Sequence, residues 1–281
     1  MPFSIRHTTT PVQAISVLEE IAANAVPSVM AGGTSPSSYR SRYAKWAAES
    51  EARLKSIFSR RDAAWFFSSA RHYIVISQEH ADGHLVGAEL ASIGEELRSS
   101  AAAVRRAMDW LGLGGGSPLV IDTNIVLEYQ ALDAIDWSKV VSGTARLIVP
   151  TRVLGELEDK RFDRRSRLSD VARSELPKLV AWLESGARPG VGVVIDRHGT
   201  TIETVPPELE GDYVRAADDE ILGFFDMVTQ YAHDAKLVTS DGPLRVRAHN
   251  RSYALARVPS AFARALGAAQ KEVETGSTVE A

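Results

Sequence analysis

Residues 117–128 read SPLVIDTNIVLE, and this stretch decides how the rest of the chain is interpreted. Its aliphatic run at 119–121 follows a glycine-rich segment and has the composition of a strand buried on both faces, as in a parallel sheet. Asp122 comes next, and the residues after it have helical spacing. A carboxylate at the carboxyl end of a buried parallel strand lies where α/β sheets place their chemistry. Asp122 is also a favourable helix N-cap, so the stretch alone leaves both interpretations open.

The composition of the 281-residue chain excludes several classes of protein and of site. The chain has no cysteine, so disulfides and thiolate metal sites are excluded. Its net charge is -4, so nucleic acid would have to bind a local basic patch. The N-terminus has no apolar segment of the signal-peptide type, and no apolar run approaches membrane-spanning length. We therefore expect a cytoplasmic protein that has no membrane partner.

The first part of the chain is predicted to be mainly α-helical. Apolar residues recur with helical spacing in three segments, at 12–22, 39–58 and 85–111. Residues 63–78 are rich in aromatic side chains and fit either a strand or buried helical turns. The glycine-rich segment 112–116 precedes a strand and lacks the Gly-Lys-Ser/Thr ending, so we interpret it as a linker and not as a phosphate-binding loop.

The linker divides the chain into predicted domains. These are a helical domain at 1–115, an α/β domain at 116–259, and a C-terminal helix with a flexible tail at 260–281. Long amphipathic helices usually pack in a bundle or a dimer. The mixed charges of the helical domain do not decide its role; we expect it to form a homodimer, to bind a regulator or to dock RNA.

The second half of the chain alternates predicted strands with predicted helices. The strands are expected at 119–121, 145–150, 190–196, 200–205, 235–239 and 253–258. A helix at 169–184 contains Pro177, which predicts a kink or a break. A further helix is expected from Ser260. Strands that alternate with helices are typical of an α/β fold with a parallel sheet.

Acidic residues recur where these strands end or where helices open. They are Asp122, Glu156, the pair Asp218 and Asp219, and Asp241. Because the carboxyl ends of parallel strands meet at one edge of a sheet, we expect these carboxylates to share a cleft. Like charges in one cleft are costly unless a cation neutralises them. Oxygen ligands suit Mg2+ or Mn2+, which can activate water and stabilise a displacement at phosphorus.

At these motifs the chain resembles the PIN domain, the metal-dependent nuclease fold of toxin–antitoxin ribonucleases and of RNA-processing and decay enzymes. The resemblance covers about residues 117–258, and it rests on LVIDTNIVLE, IVPTRVLGELED, AADDEILGF and LVTSDGPLRVRA. It implies a PIN-like three-layer α/β fold with a central parallel sheet, preceded here by the mainly α-helical N-terminal domain. It also implies an endoribonuclease that acts on RNA with one or two Mg2+ or Mn2+ ions.

The resemblance assigns roles to individual residues. The expected catalytic and metal-binding acids are Asp122, Glu156, Asp219 and Asp241, with Asp218 as a further metal ligand. Asn124, Thr239 and Ser240 are expected to orient these carboxylates and the attacking water.

Basic residues follow two of the acidic motifs. Lys160, Arg161, Arg164 and Arg165 come shortly after Glu156 and are expected to hold the phosphates of RNA. Arg245, Arg247 and Arg251 follow Asp241 and form a second candidate patch. A solvated surface paired to neighbouring acids is the alternative for both groups.

Other functions are weighed against the ribonuclease. A non-catalytic PIN-like scaffold that binds RNA or protein and a DNA or flap nuclease both stay open. A phosphatase of the haloacid-dehalogenase type requires a second Asp two residues after the nucleophile. The chain has Asn124 at that position, which argues against this phosphatase.

Overall fold

The computed structural model describes residues 5, 6, 8–31, 36–77, 82–163, 168–186, 191–206, 209 and 217–265. Contacts between Cα atoms divide the chain into two compact units. The first unit comprises Met1–Leu113, Pro206–Val214 and Asp226–His233, and the second comprises Gly114–Val205, Arg215–Phe225 and Asp234–Ala281. The domain ranges expected from the sequence, 1–115, 116–259 and 260–281, stay a prediction.

The N-terminal part of the first unit is helical, as predicted. Its helices are α1 (Pro11–Met30), α2 (Pro36–Ile57), α3 (Arg60–Trp65), α4 (Ala70–Ser77) and α5 (Gly83–Leu113). The aromatic segment 63–78, for which the sequence allowed a strand or a helix, thus contributes to α3 and α4. None of the helices in the described part of the chain combines the length and the hydropathy needed to span a bilayer.

The start of α1 shows how the sequence sets a helix boundary. Thr10 Oγ1 accepts a hydrogen bond from Gln13 N, and Gln13 Oε1 accepts one from Thr10 N. This reciprocal capping box satisfies donors that a helix leaves free at its first turn. The apolar stripe that follows is buried and packs against α5. The spacing of apolar residues therefore identified the buried face of α1, except at Val12, whose side chain is 62% exposed.

Residues from the second half of the chain complete this helical unit. Ile5 N donates a hydrogen bond to Gln230 Oε1 at 3.1 Å, in a buried position. Tyr231 packs against the apolar core of the same unit. The unit is therefore discontinuous in sequence.

A buried carboxylate lies inside this helical core. Glu89 on α5 is 0% exposed. Ser69 Oγ donates to Glu89 Oε1 at 2.6 Å, and Arg71 Nε lies 3.6 Å from Glu89 Oε2. A buried charge is tolerated only where partners of this kind offset its lost hydration. Glu89 therefore fixes α5 against the start of α4.

The second unit is built on a sheet whose six strands all lie in the described ranges. They are β1 (Ser117–Ile121), β2 (Ala145–Val149), β3 (Val193–Val194), β4 (Thr201–Thr204), β5 (Lys236–Val238) and β6 (Leu255–Ala256). The order is β3-β4-β2-β1-β5-β6, and only the edge pair β3 and β4 is antiparallel. The helices of this unit are α6 (Thr123–Glu128), α7 (Thr151–Phe162), α8 (Leu168–Glu184) and α10 (Gly242–Asn250), and α9 (Ala217–Tyr231) belongs to it as far as Phe225. This mostly parallel α/β sheet confirms the predicted fold class.

The register of β1 decides what meets at the carboxyl edge of the sheet. β1 lies between β2 and β5, and all of its residues after Ser117 are buried. Ile121 pairs with Val238 of β5, so Asp122 and Thr239 follow at the same level. The aliphatic run at 119–121 is thus the buried parallel strand that the sequence predicts.

Two local predictions differ from the structure. Of the kink or break predicted at Pro177, the break does not occur, because α8 buries an apolar face on both sides of the proline and this offsets one lost backbone hydrogen bond. The helix predicted from Ser260 begins instead as a 3-10 turn at Ser260–Phe262. Its backbone is engaged elsewhere, since Phe262 O accepts from Gln130 N at 2.8 Å and Arg264 N donates to Glu128 O at 2.8 Å. Residues 266–281, with the predicted tail, lie outside the described residues.

A buried ion pair connects two strands of the sheet. Arg146 Nε of β2 donates to Glu203 Oε1 of β4, and the two side chains are 1% and 6% exposed. The guanidinium lies against Gly114, where an added Cβ would overlap it. Gly114 is therefore required by packing, not by an unusual backbone conformation.

Gly114→Ala is expected to lower the free energy of unfolding by about 1–3 kcal/mol, because the new methyl group displaces the Arg146 guanidinium from Glu203. Urea denaturation followed by circular dichroism measures the loss. Gly115→Ala is the matched control, since a Cβ there meets nothing within 4 Å. Equal stability of the two variants would contradict the packing role of Gly114.

Glu89→Ala is expected to destabilise the protein by about 1–3 kcal/mol, since it removes the acceptor of the Ser69 hydroxyl and the partner of Arg71, whose side chain is 48% exposed and can be hydrated instead. Glu95→Ala on the same helix is the control, because the Glu95 side chain is 83% exposed. The midpoint of thermal unfolding is the measurement. A midpoint for Glu89→Ala that matches the Glu95→Ala value would show that the buried group does not hold α5.

Candidate active site

Asp122 directly follows β1 and occupies the N-cap position of α6. Its side chain makes no capping hydrogen bond, so the N-cap interpretation does not describe the carboxylate. Asp122 Oδ2 instead accepts a hydrogen bond from Thr239 Oγ1 at 2.6 Å. Thr239 Oγ1 also accepts from Asp241 N at 3.0 Å. Thr239, which was expected to orient a carboxylate, therefore connects Asp122 with the backbone of Asp241.

The environment of Asp122 shows which acids lie near it. Asp122 is 3% exposed, and burial raises the pKa of its carboxyl group to about 6. Hydrogen bonds from Thr239 and from the Thr123 backbone oppose this rise in pKa. The negative charges of Glu156 and Asp241 add to it. Two of the other acids predicted from the sequence, Glu156 and Asp241, thus lie close enough to Asp122 for their charges to act on it.

Glu156 lies in the second turn of α7. Thr123 Oγ1 donates a hydrogen bond to Glu156 Oε2. Arg152 Nε lies 3.6 Å from Glu156 Oε1 and 3.6 Å from Glu220 Oε2. One arginine therefore neutralises an acid of α7 and an acid of the first turn of α9.

Asp218 and Asp219 lie in the first turn of α9, next to Arg247 of α10. Arg247 Nη1 lies 3.2 Å from Asp218 Oδ2, and Nη2 contacts Asp219 Oδ1. The side chains of Asp218, Asp219 and Arg247 are 44%, 39% and 38% exposed. This group is an ion-paired, solvent-accessible cluster, in contrast with the buried Asp122.

Asp241 and Ser240 lie at the end of β5. Asp241 is the N-cap of α10, and its Oδ1 accepts from Leu244 N at 2.7 Å. Ser240 Oγ donates to Glu128 Oε2 at 2.7 Å, so it orients an acid that the sequence did not single out. Asn124 is half-buried in the first turn of α6.

Residues 119–254 match the family model of the PIN domain. This part of the chain is a PIN domain. The match confirms the predicted family, and it contains Asp122, Glu156, Asp219 and Asp241. Members of this family are usually nucleases and typically use divalent metal ions. No curated protein matches the chain.

The donor set of the PIN domain fits a hard divalent cation. Carboxylate and hydroxyl oxygens meet around Asp122, and such oxygens are the ligands that Mg2+ and Mn2+ prefer. Within the described ranges, no group of three His, Asp or Glu side chains converges as a ready-formed metal site. The carboxylates are held instead by arginines, hydroxyl groups and backbone N–H groups. The assignment of individual metal ligands therefore stays a prediction.

Two of the four basic residues expected to bind RNA, Lys160 and Arg161, lie in the last turn of α7. Lys160 is exposed, and Arg161 Nη2 lies 2.9 Å from Glu158 Oε1. The Arg161 guanidinium also lies 4.6 Å from the centre of the exposed Phe162 ring. Arg164 and Arg165 lie outside the described residues. The role of this segment in binding RNA is untested.

Four residues of the site were not assigned from the sequence. They are Thr123, Glu128, Arg152 and Glu220. Each lies inside one of the motifs quoted above, and this position in a motif was the indication in the sequence that it belongs to the site. The pair of Arg152 with Glu156 is four residues apart on one helix, so its spacing alone could have indicated it. The other partners could not be inferred, because Thr123 with Glu156, Ser240 with Glu128 and Arg152 with Glu220 each join elements that are distant in the chain.

The raised pKa of Asp122 predicts a pH-dependent cost to folding when metal is removed by EDTA. The carboxyl group ionises near pH 4 in the unfolded chain and near pH 6 in the folded protein. Stability should therefore fall as the pH rises from about 4 to 6 and then level off. Asp122→Asn removes this cost, so its stability relative to wild type should be about 2 kcal/mol greater at about pH 7.5 than at about pH 4.5.

Urea unfolding of both proteins in EDTA at the two pH values measures this difference. Asp159→Asn, which changes an exposed acid on α7, should show no such pH dependence. If the gap between Asp122→Asn and wild type were the same at both pH values, Asp122 would not titrate in this range.

Proposed function

We propose that the chain is a divalent-metal-dependent endoribonuclease that hydrolyses RNA phosphodiester bonds. The observation that carries the proposal is the buried Asp122 at the end of the central strand of a PIN domain. Glu156 and Asp241 lie near enough to raise its pKa. Carboxylates gathered in this way are costly unless a cation compensates them, and oxygen ligands suit Mg2+ or Mn2+.

In this proposal the acids hold the ion and the polar side chains hold the acids. Asp122, Glu156, Asp219 and Asp241, with Asp218, would be the ligands. When bound, the ion would lower the pKa of a water and stabilise the in-line displacement at phosphorus.

The orienting contacts support this division of roles. Thr239 fixes the Asp122 carboxylate, and Thr123 does the same for Glu156. Ser240 and Asn124 would complete this set of orienting groups. Since a hydroxyl group that accepts one hydrogen bond and donates another is fixed at both atoms, Thr239 limits Asp122 to one orientation.

The substrate would bind through the basic end of α7. Lys160 and Arg161 lie in its last turn, and Arg164 and Arg165 extend the basic segment in the sequence. Positive charge that contacts phosphates positions a strand without reading its bases. RNA is preferred to DNA here on the basis of the family resemblance, and the experiment below compares the two.

A non-catalytic PIN-like scaffold that binds RNA or protein is the second candidate. Its specific support is that Arg152 and Arg247 already neutralise four carboxylates of the site. A scaffold of this kind would bind RNA without cleaving it, which makes the two candidates separable by one assay.

Purified protein is expected to cleave a pool of single-stranded and structured RNA with Mn2+ or Mg2+ and not with EDTA. Asp122→Asn and Asp219→Asn should each lower the rate by at least about 100-fold, since each removes a proposed ligand. The rate of product formation on denaturing gels is the measurement, and single-stranded and flap DNA are run in parallel.

Asp159→Asn is the matched control for this assay, because Asp159 is an exposed acid on the same helix as Glu156. It should cleave at the wild-type rate. Faster cleavage of DNA than of RNA would reassign the substrate. Folded protein that binds RNA and cleaves neither nucleic acid would favour the scaffold.

A further inference from the structure

We propose that Arg247 is an exchangeable counter-ion. It neutralises Asp218 and Asp219 in the metal-free protein, and it binds a phosphate of RNA once a divalent ion takes these carboxylates. The inference rests on the proposed function and adds a residue that couples metal binding to substrate binding.

The geometry shows that one guanidinium serves two acids. Arg247 presents Nη1 to Asp218 Oδ2 at 3.2 Å and Nη2 to Asp219 Oδ1. The two acids are adjacent in the first turn of α9, so their charges would repel each other without a cation. Arg247 is therefore bound to the same carboxylates that a divalent ion would bind, so the two cations would compete for them.

The exposure of this cluster indicates that the ion pair can be exchanged. All three side chains keep more than a third of their surface in water, at 44%, 39% and 38%. Ion pairs at this exposure contribute little to stability, because water and salt screen them. A doubly charged ion interacts more strongly with two carboxylates than a guanidinium does, since the Coulomb energy scales with charge.

The released guanidinium would stay at the site, because α10 is fixed. Asp241 caps the helix through Leu244 N, and the side chains of Leu244 and Ala248 are buried. Arg247 therefore lies on a helix that begins at a proposed metal ligand. A planar guanidinium with paired N–H donors matches a phosphate as well as it matches a carboxylate.

A purely structural ion pair between α9 and α10 would behave differently. Its loss would loosen Asp218 and Asp219, and metal affinity would then fall or stay unchanged. An exchangeable counter-ion competes with the metal, so its removal raises metal affinity. The direction of the change in metal affinity separates the two roles.

The test is calorimetric titration of the full chain with Mn2+ in the absence of RNA. Arg247→Met is expected to bind Mn2+ about three- to tenfold more tightly than wild type. Arg247→Lys keeps the positive charge but not the two parallel N–H donors of the guanidinium, so its Mn2+ affinity should lie between those of wild type and Arg247→Met. It is the second variant to use if circular dichroism shows that Arg247→Met does not fold. Arg257→Met is the matched control, since Arg257 is an exposed arginine of the same unit, and its Mn2+ affinity should equal wild type.

The second measurement is the affinity for an RNA oligonucleotide with Ca2+, another ion that binds oxygen ligands, and with EDTA. Arg247→Met should bind RNA about tenfold more weakly than wild type with Ca2+ and equally well with EDTA, because only the released guanidinium contacts phosphate. Unchanged or weaker Mn2+ binding by Arg247→Met, or an equal loss of RNA affinity with EDTA, would overturn the exchange.

The outcomes for the two proposals are distinguishable. If wild type binds Mn2+ but cleaves neither RNA nor DNA, the nuclease proposal fails while the Mn2+ affinities still decide the role of Arg247. If neither wild type nor Arg247→Met binds Mn2+, the exchange is overturned together with the metal site.

Discussion

The hydrogen bond from Thr239 to Asp122 is the constraint on which the candidate site depends. It forms because Ile121 of β1 is paired with Val238 of β5 in the sheet. A backbone hydrogen bond from Asp122 N to Val238 O, at 3.1 Å, extends this pairing by one residue. A shift of this register by one residue would turn the side chains to the opposite faces of the sheet. The central position of β1, buried on both faces, excludes such a shift. The chemistry at the edge of the sheet is therefore fixed by apolar packing beneath it.

The second constraint is charge. The negative charges of the acids at this edge are offset by arginines from two helices as well as by solvent. Arg152 connects α7 with the start of α9, and Arg247 connects the start of α9 with α10. The first turn of α9 is thus held from both sides by cations. Such an arrangement lets several carboxylates lie close together without unfolding the elements that carry them.

The sequence predicted most of what depends on local pattern. The aliphatic run before Asp122 identified the central strand, and the apolar stripes of α1 and α5 identified the helical part, because burial requires periodicity. The PIN domain followed from motifs that keep their order along the chain. Pairings between side chains were not predictable, since the contact of Arg247 with Asp218 depends on how two helices pack and not on their spacing in the chain.

Features that oppose local propensity were also missed. Arg146 lies in a strand that reads as apolar, and only the fold shows that Glu203 neutralises it. Pro177 reads as a breaker, yet α8 continues because packing outweighs one hydrogen bond. Ser260 reads as the start of a helix, but the backbone around it is needed by Gln130 and Glu128. In each case tertiary contacts outweighed the structural preference of the local sequence.

The discontinuity of the helical unit has a consequence for how the protein is made. Ile5 N donates a hydrogen bond to Gln230, and Tyr231 packs against the core of that unit, so its first and last parts are separated by most of the coding sequence. Domains that are continuous in sequence can fold in turn as they leave the ribosome. Here the N-terminal helices are made early but lack these partners until the ribosome has passed β1 to β4 of the PIN domain. The order of synthesis therefore makes completion of the first unit a late event, after most of the second has already been translated.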